Sequence, residues 1–249
     1  MKPELQRLLL ALLTSTLPAL AIPDAHAAAA CKGTLYLTFD TGNMRHAESI
    51  ADTLARHGVK ATFFLAQEET SRGDHALDAS WASYWRARVA EGHAFGSHTW
   101  RHGSFRSDSG QQVRYRLPDG HTEILDARAV CEELQRSDVR FQELTGRRLD
   151  PLWRAPGGRT TPNTLAAAQA CGYQHVGWAP AGFLGDELPS DTYPNPVLLQ
   201  RALDRLKDGD IVMAHLGIWS RKDPFAPMLD PLISGLKNKG FCFATRRAP

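Results

Sequence analysis

The chain has 249 residues, of which 43 % are hydrophobic and 22 % charged, with a net charge of +2 at neutral pH. That is enough chain to bury the core of one α/β domain. The two signs of charge are interspersed and no basic block occurs, which argues against a nucleic-acid-binding surface; past the N-terminal segment no stretch is apolar enough for a transmembrane helix.

The first residues read separately from the rest. Lys2 and Arg7 precede an apolar run at 8–13 and 17–22, and Ala25-His26-Ala27 has the small-x-small pattern of a cleavage site. This is the layout of a secretory signal peptide over 1–27, leaving 28–249 as a single domain that is periplasmic or secreted. A lipid anchor on Cys31 is the weaker alternative, because Ala28-Ala29-Ala30 lacks a large aliphatic residue before it. Export permits disulfides among Cys31, Cys131, Cys171 and Cys242, none of which has the close spacing of a metal ribbon.

From there, β-rich runs at 34–39, 60–66, 94–98, 152–154, 174–178, 211–215 and 241–244 alternate with segments of helical period. Ala47, Ile50, Ala51 and Leu54 form one apolar face, Trp81, Trp85 and Val89 a second, and Val130, Leu134 and Phe141 a third. Thr161-Pro162 and Asn195-Pro196 read as helix caps before a first-turn proline, with Gly172 and Gly209 beyond the ends. Alternation of this kind implies parallel strands and right-handed crossovers. Seven strands in about 220 residues suit a barrel one unit short of eight, with a doubly wound sheet as the alternative. Closure would bring Cys31, before the first strand, beside Cys242 in the last, so a Cys31–Cys242 disulfide is expected. Cys131 sits early in its helix and Cys171 late in the next; parallel helices would keep them apart, so they are left unpaired. The 103–120 segment reads either as a lid or as an unstructured connection.

Ionisable residues recur at the carboxyl ends of the strands: Asp40, His98, Arg154 and His215, with Trp178 ending the fifth. That is the end of a parallel barrel where chemistry is assembled. His98 and His102 lie four residues apart in Ser97-His98-Thr99-Trp100-Arg101-His102, a spacing that lets two imidazoles face one ion. Each residue also has an ordinary reading: Asp40 as a turn or cap residue, Arg154 in a surface turn, and His215 as a hydrogen-bonded core histidine.

In order, these segments resemble the polysaccharide deacetylase family, the nodulation-protein-B homology domain of carbohydrate esterase family 4. Thr38-Phe39-Asp40-Thr41-Gly42 is similar to its Thr-Phe-Asp-Asp-Gly motif, His98-Thr99-Trp100-Arg101-His102 to its His-Ser/Thr-x-x-His motif, and Arg154-Ala155-Pro156-Gly157-Gly158 to Arg-x-Pro-x-Gly. Ala214-His215 is similar to the final Leu-x-His, and Lys60-Ala61-Thr62-Phe63-Phe64 to a strand common among these proteins. The resemblance implies a distorted (β/α)7 barrel of parallel strands with a divalent metal, zinc foremost, held by His98 and His102. It implies Asp40 as general base, Arg154 as the group orienting that base, and His215 as general acid. Trp178 and Pro156 are assigned to contact with the substrate, and Trp100, Trp153, Phe183 and Trp219 are further aromatics near that end.

Two departures stand out. The second aspartate of the first motif is Thr41, a weaker ligand than a carboxylate. Waters, a swung Asp40 or a loop carboxylate such as Asp186 are the candidate replacements. The family's Asp-x-x-Asp-Trp region is absent near Trp178, so an acid partner for Arg154 is unassigned. The expected activity is removal of N-acetyl groups from an N-acetylhexosamine glycan or peptidoglycan. An O-acetyl esterase, a small-amide hydrolase and a catalytically impaired glycan binder are the alternatives.

Overall fold

A computed structural model describes residues 31–246; the expected signal peptide over 1–27 lies outside the described residues. In chain order the elements are β1 (Gly33–Asp40), α1 (Ala47–Arg56), β2 (Thr62–Leu65), α2 (Ala82–Ala90), β3 (Ala94–Ser97), β4 (Ser104–Ser109), β5 (Gln112–Arg116) and β6 (Thr122–Leu125). They continue with α3 (Ala127–Thr145), β7 (Leu152–Trp153), α4 (Pro162–Ala170), β8 (Gln174–His175), α5 (Asn195–Arg205), β9 (Ile211–His215), α6 (Leu229–Asn238) and β10 (Phe241–Phe243).

All seven expected strands are present, and every pairing among them is parallel. The order is β10-β1-β2-β3-β7-β8, with β9 also pairing the second half of β1. On the open side, 179–184 approaches β9: Ala179 N–H donates to Ile211 O at 3.1 Å, and Phe183 bridges Met213 in parallel. The result is the distorted (β/α)7 barrel anticipated from the sequence. Among the described residues no helix is long and apolar enough to cross a membrane.

The period-two alternation of β1 explains how one strand serves both core and site. Leu35, Leu37 and Phe39 are buried with Ile50 and Leu54 of α1 and Leu232 and Leu236 of α6. Thr38 and Asp40 point the other way, into the barrel, where Phe64, Leu152, Val176 and Ile211 form a small apolar floor. Helix packing is therefore secured by alternate residues while the intervening ones are released for polar work.

Cys31 pairs with Cys242 as expected, their Cα atoms 5.7 Å apart where β1 and β10 run side by side. The expectation for the other two cysteines is corrected: Cys131 and Cys171 also form a disulfide, with Cα atoms 6.1 Å apart. Parallel helices keep an early and a late residue apart only if both start level. Here α3 has 19 residues and follows an inserted sheet, whereas α4 has 9. The first turns of α3 lie beside the end of α4, with Val130 and Leu134 packed on Ala167, Ala168 and Tyr173.

The 103–120 segment is ordered: β4, β5 and β6 form a three-stranded antiparallel sheet between β3 and α3. Thr161 caps α4 by accepting from Thr164 N–H, as expected. Asn195 does not cap α5; its side-chain amide donates instead to Asp223 at 2.8 Å and to the Pro224 carbonyl at 3.0 Å.

Candidate active site

The register that pairs Asp40 with His215 and with Phe64, and Ser97 with Trp153, sets four strand ends at one height. Asp40, His98, Arg154 and His215 meet there, and the loop after β3 adds His102.

Arg154 is fully buried, and each of its nitrogens has a partner. Nη1 donates to Asp40 Oδ1 at 2.9 Å and to Thr38 Oγ1 at 2.8 Å, Nε to the Val176 carbonyl at 3.1 Å, and Nη2 to the Gly177 carbonyl at 3.2 Å. The guanidinium lies over the Phe64 ring at 4.2 Å and near the Trp178 ring at 5.5 Å. A buried cation of this kind is tolerated because each of its nitrogens is hydrogen-bonded and one carboxylate neutralises it. Burial alone would raise the pKa of Asp40, but Arg154, helped by His98 and His215, brings it below the usual carboxylate value. Trp178 is half-buried, packed on Gly158 and the guanidinium, and Pro156 is buried at the start of a single 3₁₀ turn.

His98 donates from Nδ1 to the Arg154 carbonyl at 2.9 Å, since a carbonyl can only accept. Its Nε2 lone pair is thereby presented to the site, 3.5 Å from Asp40 Oδ2. Burial pushes His98 down to about 4, against the pull of Asp40 and Glu68, so the ring is neutral at neutral pH. The His102 ring lies 4.9 Å away, centroid to centroid. The two come together because the chain between them coils tightly, with Thr99 at φ 63° and His102 at φ 53°. Left-handed backbone at a β-branched residue is costly and persists only when its surroundings hold it. Arg101 supplies that hold: it is bidentate to Glu123 of β6 at 2.9 Å and bonded to Glu133 of α3 at 2.6 Å. Tyr115 of β5 accepts from Gly103 N–H at 2.8 Å and lies 3.1 Å from Glu133.

Two carboxylates complete the site. Asp186 accepts from His215 N–H at 2.7 Å and lies 3.2 Å from His215 Nδ1. Burial would lower His215, but the Asp186 carboxylate, with help from Asp40 and Glu187, pushes it up to about 9. Asp186 thus belongs to His215, not to the paired imidazoles, which corrects its candidacy as a replacement ligand. The carboxylate beside those imidazoles is Glu68, just after β2: its Oε1 is 3.4 Å from His102 Nδ1, and its Oε2 accepts from Gly42 N–H at 2.9 Å and from the Thr41 hydroxyl. Gln67-Glu68-Glu69 follows a strand just as Asp40 ends one, and that position is the signal by which Glu68 was findable.

A cleft of about 530 Å³, lined among others by Glu68, His102, Glu187, His215 and Trp219, opens above these groups. A second, of about 340 Å³, runs from His102 toward Arg106, Arg116 and Pro156. Trp219 is 60 % exposed at the cleft wall, whereas Trp153 is wholly buried in the core and Trp100 is covered by Arg136. Those two are structural.

The polysaccharide deacetylase family matches residues 27–176. The chain belongs to that family. A peptidoglycan-N-acetylglucosamine deacetylase of Bacillus cereus is 26 % identical over 216 residues, covering 86 % of this chain and 67 % of that protein. In fold it is similar to a family 4 acetyl xylan esterase from Clostridium thermocellum bound to cobalt (TM-score 0.65, 22 % identity, 85 % and 87 % of the two chains). It is equally similar to a CE4 family pseudoenzyme from Bacillus anthracis (TM-score 0.64, 19 % identity, 86 % and 64 %). The same fold is thus shared with an esterase and with a pseudoenzyme.

The donor set suits a divalent cation: a neutral imidazole with its Nε2 free, a second imidazole beside it, and ionised carboxylates on either side. Among the described residues no three His, Cys, Asp or Glu side chains are already gathered around one point. The fit is therefore one of donor chemistry.

Proposed function

We propose that this chain is an exported, metal-dependent deacetylase that hydrolyses the acetamido group of an N-acetylhexosamine glycan or of peptidoglycan. One observation carries the reading: a buried carboxylate fixed by Arg154 and a protonated imidazole fixed by Asp186 face each other beside two paired imidazoles. A base and an acid held in opposite states of charge are what acyl transfer from an amide requires.

His98 and His102 would hold the ion, with zinc the foremost candidate. When bound it supplies Lewis acidity, polarising the acetyl carbonyl and acidifying water. Asp40, kept ionised by Arg154, takes the proton of the attacking water. His215 carries its exchangeable proton on Nε2, because Nδ1 is engaged by Asp186, and passes it to the departing sugar nitrogen. Asp186 orients that ring and maintains its charge. Trp219 offers an aromatic face to a sugar ring, Pro156 lines the second cleft, and Trp178, packed on Arg154, would contact the substrate from behind that residue. The two clefts meet at His102 and Pro118, giving room for sugars on both sides of the reacting one. Two disulfides support export.

The test is acetate release from N-acetylglucosamine oligomers and peptidoglycan by the purified protein, with and without a chelator. Release that is abolished by chelation and restored by zinc supports the reading. Metal-independent release, or none, refutes it. Esters are the second reading, favoured by the fold similarity to an acetyl xylan esterase; faster release from O-acetylated xylan than from N-acetylated oligomers would select it.

A further inference from the structure

We propose that Glu68, reaching in from the loop after β2, is the carboxylate ligand of the metal site, and that Thr41 serves to hold it there. This rests on the reading of His98 and His102 as ligands and names the third group.

Most anions of the site are matched to a cation. Asp40 is bound by Arg154, and Asp186 is engaged by His215. Glu187 is 47 % exposed and faces His215 at 3.8 Å. Glu68 is the exception: only 18 % exposed, it faces the His102 imidazole, and among the described residues no guanidinium or ammonium group pairs with it. A buried carboxylate without a full positive charge beside it carries a desolvation cost that a divalent ion would offset.

Geometry points the same way. Ligands of one tetrahedral ion with bonds of about 2.0–2.1 Å stand about 3.3–3.4 Å from each other. Glu68 Oε1 to His102 Nδ1 is 3.4 Å, longer than a good N–H···O bond of about 2.9 Å and equal to that ligand-to-ligand spacing.

Thr41 explains why Glu68 is aimed so. Its hydroxyl accepts from Ala66 N–H at 3.2 Å, which leaves its proton for Glu68 Oε2, and Gly42 N–H donates to the same oxygen at 2.9 Å. One oxygen is thereby tethered to the end of β1 and the other is free to face the rings. At residue 41 the chain offers a hydroxyl, a poor ligand for zinc but a good tether for a carboxylate.

The test measures zinc affinity of the metal-stripped full-length protein by chelator competition, and the visible absorption of its cobalt(II) form, with thermal melts as the check on folding. Wild type should bind one equivalent. Glu68→Gln should lose affinity by about a hundredfold or more and change the cobalt spectrum. Thr41→Val, which removes only the tether, should lose roughly tenfold. Thr41→Asp combined with Glu68→Gln returns a carboxylate from β1 and should recover most of the affinity. If Glu68→Gln fails to fold, Glu68→Asp, shorter by one methylene, should still weaken binding with the melt unchanged. Glu68 variants that bind like wild type while His98→Ala loses the metal would overturn this inference alone. Wild type that binds no metal, or His98→Ala that binds unchanged, would overturn the metal-dependent reading with it.

Discussion

Replacing Asp186 with Asn tests whether His215 works as an acid whose charge is maintained by one neighbour. The exchange is nearly isosteric, and the amide oxygen can still accept the His215 backbone N–H now bonded at 2.7 Å. What disappears is the negative charge that raises His215 to about 9. A group with that pKa is about 90 % protonated at pH 8 and sheds its proton as pH climbs through 9; at its ordinary 6.5 it would be about 3 % protonated at pH 8. Asp40 and Glu187 remain to oppose burial, so a return toward the ordinary value is expected and kcat/KM at pH 8 should fall about 30-fold. At pH 6 the imidazole stays mostly protonated, about three quarters at a pKa of 6.5, and the loss should be less than about twofold from this cause. The assay is acetate release across pH 5–10 for both proteins. The wild-type upper limb should lie near pH 9 and that of the variant near 6.5, with the profiles converging on the acid side. A uniform loss at every pH, or an upper limb that stays at 9, would show that Asp186 does not control the proton on His215.

Asp40→Asn should abolish turnover, by about 10²–10⁴-fold, with the melting curve retaining its cooperativity; surviving turnover would remove Asp40 from the role of base. His98→Ala and His102→Ala should each lower bound metal and activity together, as read by elemental analysis, and unchanged metal would refute both as ligands. Arg154→Met leaves the Asp40 carboxylate buried without its cation, so unfolding free energy should drop by about 3–5 kcal/mol in denaturant titration at neutral pH. Because the carboxylate's pKa would then rise, part of that loss should be recovered as pH falls and Asp40 takes up a proton. A loss below 1 kcal/mol would mean the pair is not structural. Glu133→Gln should loosen the Arg101 clamp and weaken zinc affinity roughly tenfold without touching the ion, and unchanged affinity would show that the loop needs no such support.

The barrel was legible because its signal is repeated. Each β-rich run ends in a turn, each intervening segment has helical period, and β1 alternates Leu35, Leu37 and Phe39 with polar residues that face inward. The ionisable strand ends were legible for the same reason, as positions defined by the fold. What escaped was set by tertiary placement. Cys131 and Cys171 meet because α3 is long and displaced by an insertion, which position within a helix does not encode. Strands β4–β6 are short and polar on their exposed faces, with Phe105, Val113, Tyr115 and Leu125 marking the buried side, so their pattern was too sparse to separate from a loop. Of the adjacent Glu68 and Glu69, one turns inward and the other is exposed, a choice made by the Thr41 hydroxyl just beyond β1, which no local pattern encodes. Asp186 was picked out as a carboxylate near the site, but the partner it serves depends on the packing of 179–184 against β9.

The insertion gives the loop between His98 and His102 its meaning. Left-handed residues at Thr99 and His102 would cost on the order of 1–3 kcal/mol each if nothing opposed their relaxation. A relaxed loop would swing His102 away from His98 and leave one imidazole at the site. Arg101 prevents this by spanning two elements at once, β6 through Glu123 and α3 through Glu133, while Tyr115 of β5 closes over Gly103. Charge-assisted bidentate contacts are strong enough to balance such strain, at about 1.5–3 kcal/mol per bond to a charged group. The antiparallel sheet is thus a brace for the ion-facing histidines as well as a wall of the cleft. Shortening the 103–120 segment should therefore cost metal affinity before it costs the barrel, whose strands make none of their ladder bonds to it.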